Sequence, residues 1–191
     1  MIDFAESHRH RPVRTILVAD DSRSNLEVIG RRLTQMGYLT ALTGSGAGAL
    51  DLLSARGFDL LLLDLVMPGM SGLQVLAEIR SRGETADLPV IVITARSDPA
   101  SAVEALAAGA DDHVAKPFDF EVLGARIERL LTRGKRIADL KRSNAALDAR
   151  IAARAMELGE ARAELADVRA DRQRLLSSLQ ALSDEVTRLR S

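Results

Sequence analysis

Five short apolar runs alternate with segments of helical periodicity in the first two thirds of the chain, and this alternation constrains the fold more than any other feature. The runs are TILVA (15–19), YLTAL (38–42), FDLLLL (58–63), PVIVIT (89–94) and DHVAK (112–116). Strands that are apolar on both faces and separated by helices are typical of a parallel sheet covered on both sides. Because crossovers between parallel strands are right-handed, the pattern predicts an α/β fold with a doubly wound, five-stranded parallel sheet.

Chemically active side chains stand where four of these predicted strands end. In a doubly wound sheet, ligands bind beyond the carboxyl ends of the strands. The chain places three carboxylates, a hydroxyl and an ammonium group there: Asp20, Asp21, Asp64, Thr94 and Lys116. A hydrophobic core needs none of these groups. The sequence therefore predicts a polar site at this edge of the sheet.

The chemistry of that edge follows from its donor atoms. Three neighbouring carboxylates repel one another unless a cation lies among them, and oxygen ligands without His or Cys suit Mg²⁺. Asp64 follows four consecutive leucines and stands at the centre, where it could act as a nucleophile towards a phosphoryl group. Lys116 and Thr94 could then contact the phosphoryl oxygens.

Four motifs carry a resemblance to a known family. ADDS (19–22), LLDLVMPGMSG (62–72), ITA (93–95) and KPF (116–118) closely resemble the receiver domain of two-component response regulators. The resemblance covers residues 14–131 and implies a flavodoxin-like fold. It also implies that Asp64 accepts a phosphoryl group from a histidine kinase or a phosphotransfer protein.

The resemblance assigns roles to the remaining residues of the edge. It implies an Mg²⁺ site made by Asp20, Asp21, Asp64 and the backbone carbonyl of Val66, with Asp20 acting partly through water. Thr94 matches the hydroxyl that switches the domain on phosphorylation. Lys116 matches the family lysine, whose bond to Pro117 is typically cis, an isomer that is costly except before proline.

One position departs from the family pattern. The place usually held by a switching tyrosine or phenylalanine is occupied by His113, whose side chain titrates near neutral pH. Two hypotheses remain open for it. His113 either rotates inward as the aromatic residue does and couples the switch to pH, or it is a solvent-facing residue of a short strand.

Each motif taken singly has an ordinary structural explanation, and their joint occurrence argues against it. Asp20 and Asp21 could cap a helix, Thr94 could be a β-branched strand residue, and Lys116 could be a surface charge. A haloacid-dehalogenase-like phosphatase also uses a phosphoaspartate, but it usually carries Asp-x-Asp at its first strand. This chain has ADDS there, and its candidate nucleophile belongs to the third strand.

Beyond residue 131 the apolar spacing changes to a heptad repeat. Taking Ile137 as position a, thirteen of sixteen a and d positions up to Leu189 are apolar; the exceptions are Asn144, Arg154 and Arg172. A repeat of seven sustained over this length predicts a long helix, residues 132–190, that forms a left-handed coiled coil. Only Gly134 interrupts the junction, either as a hinge or as a tolerated soft spot.

Charges flanking the predicted seam favour a parallel homodimer. In a parallel pair each g residue faces the e residue of the partner's next heptad. This arrangement matches three oppositely charged pairs: Glu157 with Arg162, Glu164 with Arg169, and Glu185 with Arg190. An antiparallel pair would set the g-position acids against one another, and Asn144 at an a position also favours a parallel dimer in fixed register.

Composition narrows the remaining classes. The chain has no cysteine, which excludes disulfides and thiolate chemistry, and no apolar run reaches the length of a membrane span. Charge signs alternate along the second half, which is typical of a solvated helix and predicts no nucleic-acid binding. The charged segment 1–13 is expected to be a flexible arm, not a signal peptide, and the protein is expected in the cytoplasm.

Three functional hypotheses follow. The first is a response regulator whose phosphorylated receiver alters a dimeric coiled coil, without enzymatic activity beyond its own phosphorylation chemistry. The second is the regulatory part of a larger histidine kinase, nucleotide cyclase or phosphatase whose catalytic domain lies beyond Ser191. The third is a stand-alone adaptor or phosphate sink.

Overall fold

The structure, a computed structural model, describes residues 13–95 and 99–189. The arm predicted at residues 1–13 lies, apart from its last residue, outside the described residues. Ten elements follow one another: β1 (Thr15–Ala19), α1 (Arg23–Gln35), β2 (Leu39–Thr43), α2 (Gly46–Ala55), β3 (Leu60–Asp64), α3 (Gly72–Ser81), β4 (Val90–Ala95), α4 (Pro99–Ala107), β5 (Asp112–Lys116) and α5 (Phe120–Leu189).

The five strands form one parallel sheet in the order β2-β1-β3-β4-β5. The order reverses between β1 and β3, so the polar ends of these two central strands lie side by side at the switch point of the sheet. The predicted doubly wound sheet is confirmed. The structure begins β2 at Leu39, one residue later than the apolar run suggests.

The leucine run of β3 explains the layering of the first unit. Leu60 and Leu62 belong to the core cluster that packs against α1 and α5, whereas Leu61 and Leu63 belong to the cluster that packs against α2, α3 and α4. All four side chains are fully buried. Each buried leucine stabilises the fold by roughly 1.5–3 kcal/mol, which fixes the strand that presents Asp64.

Three serines begin the helices nearest the site. Ser22, Ser45 and Ser71 are the N-caps of α1, α2 and α3, and each accepts a hydrogen bond from a backbone N–H of the first turn. In α3 the cap is reciprocal, because Gln74 also accepts from the Ser71 backbone N–H at 2.9 Å. These caps define where each helix leaves the edge that carries the site.

The chain divides into two compact units, the first reaching Ile137 and the second beginning at Ala138. In the second unit the backbone is helical up to Leu189, so the long helix predicted from the heptad repeat is present. Between residues 138 and 180 its apolar a and d side chains are exposed in the single chain; for example, Leu140 is 69% exposed and Ile151 is 66% exposed. No helix among residues 13–95 and 99–189 is long and apolar enough to cross a membrane.

Candidate functional site

Lys116, at the end of β5, holds the centre of the site. Its ammonium group donates hydrogen bonds to Asp20 Oδ2 and to Asp64 Oδ2, each at 2.7 Å. Asp20 follows β1 and Asp64 ends β3, so the lysine spans the two adjacent central strands from β5. The two carboxylates are therefore drawn together by a shared cation that belongs to the chain itself.

Asp20 is held by four hydrogen bonds although its side chain is completely buried. Its Oδ1 accepts from the Ser22 backbone N–H at 2.9 Å and from the Asn25 amide at 3.1 Å. Its Oδ2 accepts from the same Asn25 amide at 3.2 Å and from Lys116. A buried carboxylate with this many donors is compensated in both charge and hydrogen bonding.

Asp64 is buried but less surrounded. The residue is 7% exposed, and its Oδ1 accepts only a long hydrogen bond, 3.3 Å, from the backbone N–H of Val66. Close packing fixes the backbone behind it, because a Cβ on Gly72 would stand 2.8 Å from the Leu65 Cα. Of the two Asp64 oxygens, Oδ1 is thus held by the longer hydrogen bond and Oδ2 by the shorter one from Lys116.

Three carboxylates converge here as the sequence predicts. Asp20, Asp21 and Asp64 each offer an oxygen, and these oxygens lie within 4.8 Å of one another. Asp21 is exposed, whereas the other two are buried. An all-oxygen donor set with one solvent-facing carboxylate fits Mg²⁺, which retains several waters when it binds protein.

The two central groups have shifted pKa values. Burial raises the pKa of Asp64 above its ordinary 3.8, and the Asp20 charge adds to this, whereas the hydrogen bond and charge of Lys116 pull it back. Burial lowers the pKa of Lys116, but its hydrogen bonds to the two carboxylates outweigh that effect, so its pKa stands above 10.5. Lys116 is thus a permanent cation near neutral pH.

The other predicted residues lie on β4 and β5. Thr94 is buried, 3% exposed, near the end of β4, one step beyond the residue that pairs with Asp64. His113 lies half-buried on β5, three residues before Lys116. The bond between Lys116 and Pro117 is cis.

At the beginning of β5, a buried acid pairs with two arginines of α5. Asp112 is 7% exposed and accepts hydrogen bonds from Arg126 at 2.6 Å and from Arg129 at 2.8 Å. Asp111 instead accepts from Arg80 at 2.9 Å. Both acids therefore form ion pairs within the chain. The two ion pairs of Asp112 anchor β5, the strand that carries Lys116, to α5.

Sequence reasoning missed Asn25, whose amide contacts both oxygens of Asp20. The signal was available, since Asn25 is the third residue of a helix whose cap follows the acidic pair directly. The orientation of the Asn25 side chain could not be predicted, because an asparagine in a first helical turn more often faces water or its own backbone.

Comparison with known proteins decides the family. Residues 16–128, more than half of the chain, match the family described as response regulator receiver domain. The chain belongs to the response regulator receiver family.

Several relatives resemble this receiver. The response regulator MprA of Mycobacterium avium (strain 104) is 44% identical over 120 residues, which is 63% of this chain and 52% of that relative. The chain therefore spans about half the length of the curated relatives it matches. The receiver is homologous to MprA-type regulators.

Solved structures give the same fold. The signal receiver domain of a signal transduction histidine kinase from Syntrophus aciditrophicus is 33% identical, with a TM-score of 0.60 over 63% of this chain and 91% of that one. A response regulator receiver domain protein from Clostridium thermocellum is 28% identical, with a TM-score of 0.62 over 65% of this chain and 99% of that one.

Proposed function

We propose that Asp64 accepts a phosphoryl group from a histidine kinase or a phosphotransfer protein, with Mg²⁺ as cofactor. The observation that carries this proposal is the sharing of the Lys116 ammonium between Asp20 and Asp64 beside a third carboxylate. A purely structural salt bridge would not require a third acid within 4.8 Å. Membership of the receiver family supports the same chemistry and the same class of partner.

The transfer is a displacement at phosphorus. An Asp64 carboxylate oxygen forms the new bond to phosphorus while the bond to the donor histidine nitrogen breaks, and the electron pair leaves with the imidazole. Asp64 must be ionised to react, and the hydrogen bond and charge of Lys116, which lower the pKa that burial raises, favour the ionised form. When bound to Asp20, Asp21, Asp64 and the Val66 carbonyl, Mg²⁺ would neutralise charge on the phosphoryl oxygens.

Lys116 is the residue that changes partners in this proposal. It donates to Asp64 Oδ2 before transfer, and its flexible ammonium can follow the charge to a phosphoryl oxygen afterwards. Asp20 keeps its other three hydrogen bonds during that movement. Thr94, at the adjacent strand end, would donate its hydroxyl to another phosphoryl oxygen and so report the modification to β4 and β5.

A small phosphodonor tests this step without the cognate kinase. Acetyl phosphate with Mg²⁺ should phosphorylate the chain, Lys116→Met should slow the reaction and Asp64→Asn should abolish it. Ser71→Ala, an α3 cap on the same side of the sheet, is the control and should keep the reaction. A phosphorylation rate unchanged in Lys116→Met would contradict the role given to the lysine.

The role of His113 can be separated from general switching. If His113 couples the switch to pH, His113→Tyr should retain phosphorylation but lose the pH dependence of activated-state formation. If pH dependence is unchanged in the variant, the residue is an ordinary half-buried member of β5. Chemical shifts of β4 and β5 in the phosphorylated protein give the measurement.

We also propose that the second unit forms a parallel homodimeric coiled coil that responds to phosphorylation. Its support is the exposure of the seam in the single chain, where Leu158 is 52%, Leu165 48% and Leu175 66% exposed. A helix that leaves such a continuous apolar stripe in water gains most by burying it against a second helix. The g and e charges described above favour the parallel arrangement.

Two neighbouring substitutions test the dimer. In the single chain Met156 is more exposed than Leu158, 72% against 52%, yet only Leu158 lies at a seam position. Light scattering should find that Leu158→Glu is monomeric and that Met156→Glu remains dimeric. A monomeric parent protein, or equal effects of the two substitutions, would refute the proposed seam.

The response of the coil to phosphorylation needs a separate test. The chain contains no cysteine, so a single Ile151→Cys substitution reports cross-linking across the proposed seam without background. Its disulfide should form at a different rate when a phosphoryl mimic occupies the site. Identical cross-linking with and without the mimic would show that the coil is not the output.

A second candidate is the regulatory part of a larger signalling enzyme. The observation that favours it is the likeness to the Syntrophus aciditrophicus receiver, which belongs to a signal transduction histidine kinase. In either case this chain supplies no catalytic output of its own, acts in the cytoplasm and binds neither nucleic acid nor membrane. Sequencing the transcript past the codon for Ser191 separates the candidates, since a stop codon there leaves the regulator or adaptor.

A further inference from the structure

The first turn of α1 departs from the capping pattern seen in α3. In α3, Gln74 at the third helical position accepts a hydrogen bond from the backbone N–H of its cap, Ser71. In α1, the third position is Asn25, and the corresponding N–H of Ser22 is taken by Asp20 instead. Because the Ser22 N–H already donates to Asp20, the Asn25 side chain is not needed as its acceptor. The Asn25 amide can instead turn its N–H groups towards Asp20.

Asn25 directs that donor to the buried acid. Its amide nitrogen lies 3.1 Å from Asp20 Oδ1 and 3.2 Å from Asp20 Oδ2, so it spans both oxygens of the carboxylate. A carboxylate offers about four acceptor positions. Ser22, Lys116 and Asn25 together hold both oxygens of Asp20.

We propose that Asn25 is a positioning residue which locks the Asp20 carboxylate and thereby sets how the acidic cluster holds Mg²⁺. Because Asn25 contacts both oxygens of Asp20, it would keep this carboxylate in one orientation within the cluster of Asp20, Asp21 and Asp64 that would hold the ion. The locked carboxylate also keeps Lys116 at the point where it reaches Asp64. This inference rests on the proposed magnesium site.

The chain offers a matched set of variants. Asn25→Leu keeps the side-chain size and removes the donor, whereas Asn25→Gln retains an amide. Ser24→Leu introduces the same leucine at the neighbouring exposed position. Asp20→Asn, alone and combined with Asn25→Leu, completes a double-mutant cycle.

Isothermal titration with Mg²⁺ alone gives the readout, and the unfolding of each variant is followed by Tyr38 fluorescence. Loss of a hydrogen bond to a metal-binding carboxylate typically weakens metal affinity by about 10–100-fold, so Asn25→Leu should weaken Mg²⁺ binding by at least about tenfold. Ser24→Leu should bind as the parent does, and Asn25→Gln should recover most of the affinity. In the Asp20→Asn background, Asn25→Leu should have no further effect.

The outcomes are distinct. If Asn25→Leu binds Mg²⁺ as the parent does, or weakens binding equally in the Asp20→Asn background, then Asn25 does not act through Asp20 and the inference is wrong. If Asn25→Leu fails to fold, the comparison uses Asn25→Gln. The inference is then wrong if Asn25→Gln binds Mg²⁺ as weakly as Asp20→Asn does. If the parent chain itself does not bind Mg²⁺, the proposed magnesium site fails first.

Discussion

Asp64→Asn should make the protein more stable while it removes the proposed phosphoacceptor. The ionised carboxylate of Asp64 is buried next to a second carboxylate, Asp20. Lys116 compensates its charge, and the Val66 N–H adds one long hydrogen bond. A neutral amide of the same shape keeps the packing and removes the charge. We therefore expect a higher free energy of unfolding at neutral pH in the absence of Mg²⁺.

The size of the effect follows from three energies. At an effective dielectric constant of about 20, two carboxylate oxygens within 4.8 Å repel by about 3.5 kcal/mol or more, and an ammonium at 2.7 Å attracts by about 6 kcal/mol. Burying a carboxylate costs several kcal/mol even after relaxation. Burial and the repulsion from Asp20 together outweigh the attraction of Lys116, which is the direction in which the pKa of Asp64 is shifted.

The pH dependence has a defined sign. Because the folded-state pKa of Asp64 is raised above 3.8, the folded state binds this proton more tightly than the unfolded state does. The penalty is absent below about pH 3.8 and grows as the pH rises through the raised value. Lys116, whose pKa stands above 10.5, contributes a constant stabilisation over the same range.

Urea unfolding between pH 4 and pH 8 measures the difference. Tyr38 is the only tyrosine, it is buried in the first unit, and the chain has no tryptophan, so its fluorescence reports that unit alone. Mg²⁺ should reduce the difference in free energy of unfolding between Asp64→Asn and the parent, since a ligand at 100 times its Kd stabilises the parent by about 2.7 kcal/mol. An Asp64→Asn variant no more stable than the parent at pH 7.5, or a gain independent of pH, would refute the reasoning.

Two further substitutions test the elements that support the site, both measured by the same urea unfolding. Replacing Arg126 and Arg129 together by methionine should cost about 3–5 kcal/mol, because it leaves the buried charge of Asp112 without either of these cations. Asp112→Asn should cost less, since both guanidinium groups, 39% and 65% exposed, can return to water. Gly72→Ala should cost about 1–3 kcal/mol, because its Cβ would stand 2.8 Å from the Leu65 Cα.

Each of these predictions has its own control. Gly57→Ala adds a Cβ that meets nothing within 4 Å, and it should change stability by no more than about 0.5 kcal/mol. Arg23→Met removes a surface ion pair with Glu27 and should be equally mild. An Asp112→Asn variant less stable than the double arginine variant would contradict the burial argument.

The sheet could be predicted because two features of the sequence indicate its strands. Leucine and valine runs give the strands, and the polar residue that ends each run gives the direction in which the strands point. Right-handed crossovers then make the sheet doubly wound, and Asp20, Asp64 and Lys116 meet beyond the carboxyl ends of its strands as expected. The strand order was not predicted and comes from the structure. The heptad repeat predicted the long helix equally well, since a period near 3.5 suits no other element.

The support of the site could not be predicted in the same way. Whether Asn25 turns towards Asp20 depends on which group satisfies the Ser22 N–H, and that choice is made by the fold. The pairing of Asp112 with two arginines of α5 likewise needs the angle at which the helix crosses β5. Such contacts depend on how neighbouring segments are oriented in the fold, and neither spacing nor composition encodes that orientation.

Mass spectrometry of the phosphorylated chain tests the central claim most directly. The protein is incubated with acetyl phosphate and Mg²⁺, the acyl phosphate is trapped by borohydride reduction, and the modified residue is located by peptide mapping. We predict one phosphoryl group per chain, located at Asp64, and no modification when Mg²⁺ is chelated. Modification at another residue, or none at all in the presence of Mg²⁺, would contradict the assignment of Asp64 as the phosphoacceptor.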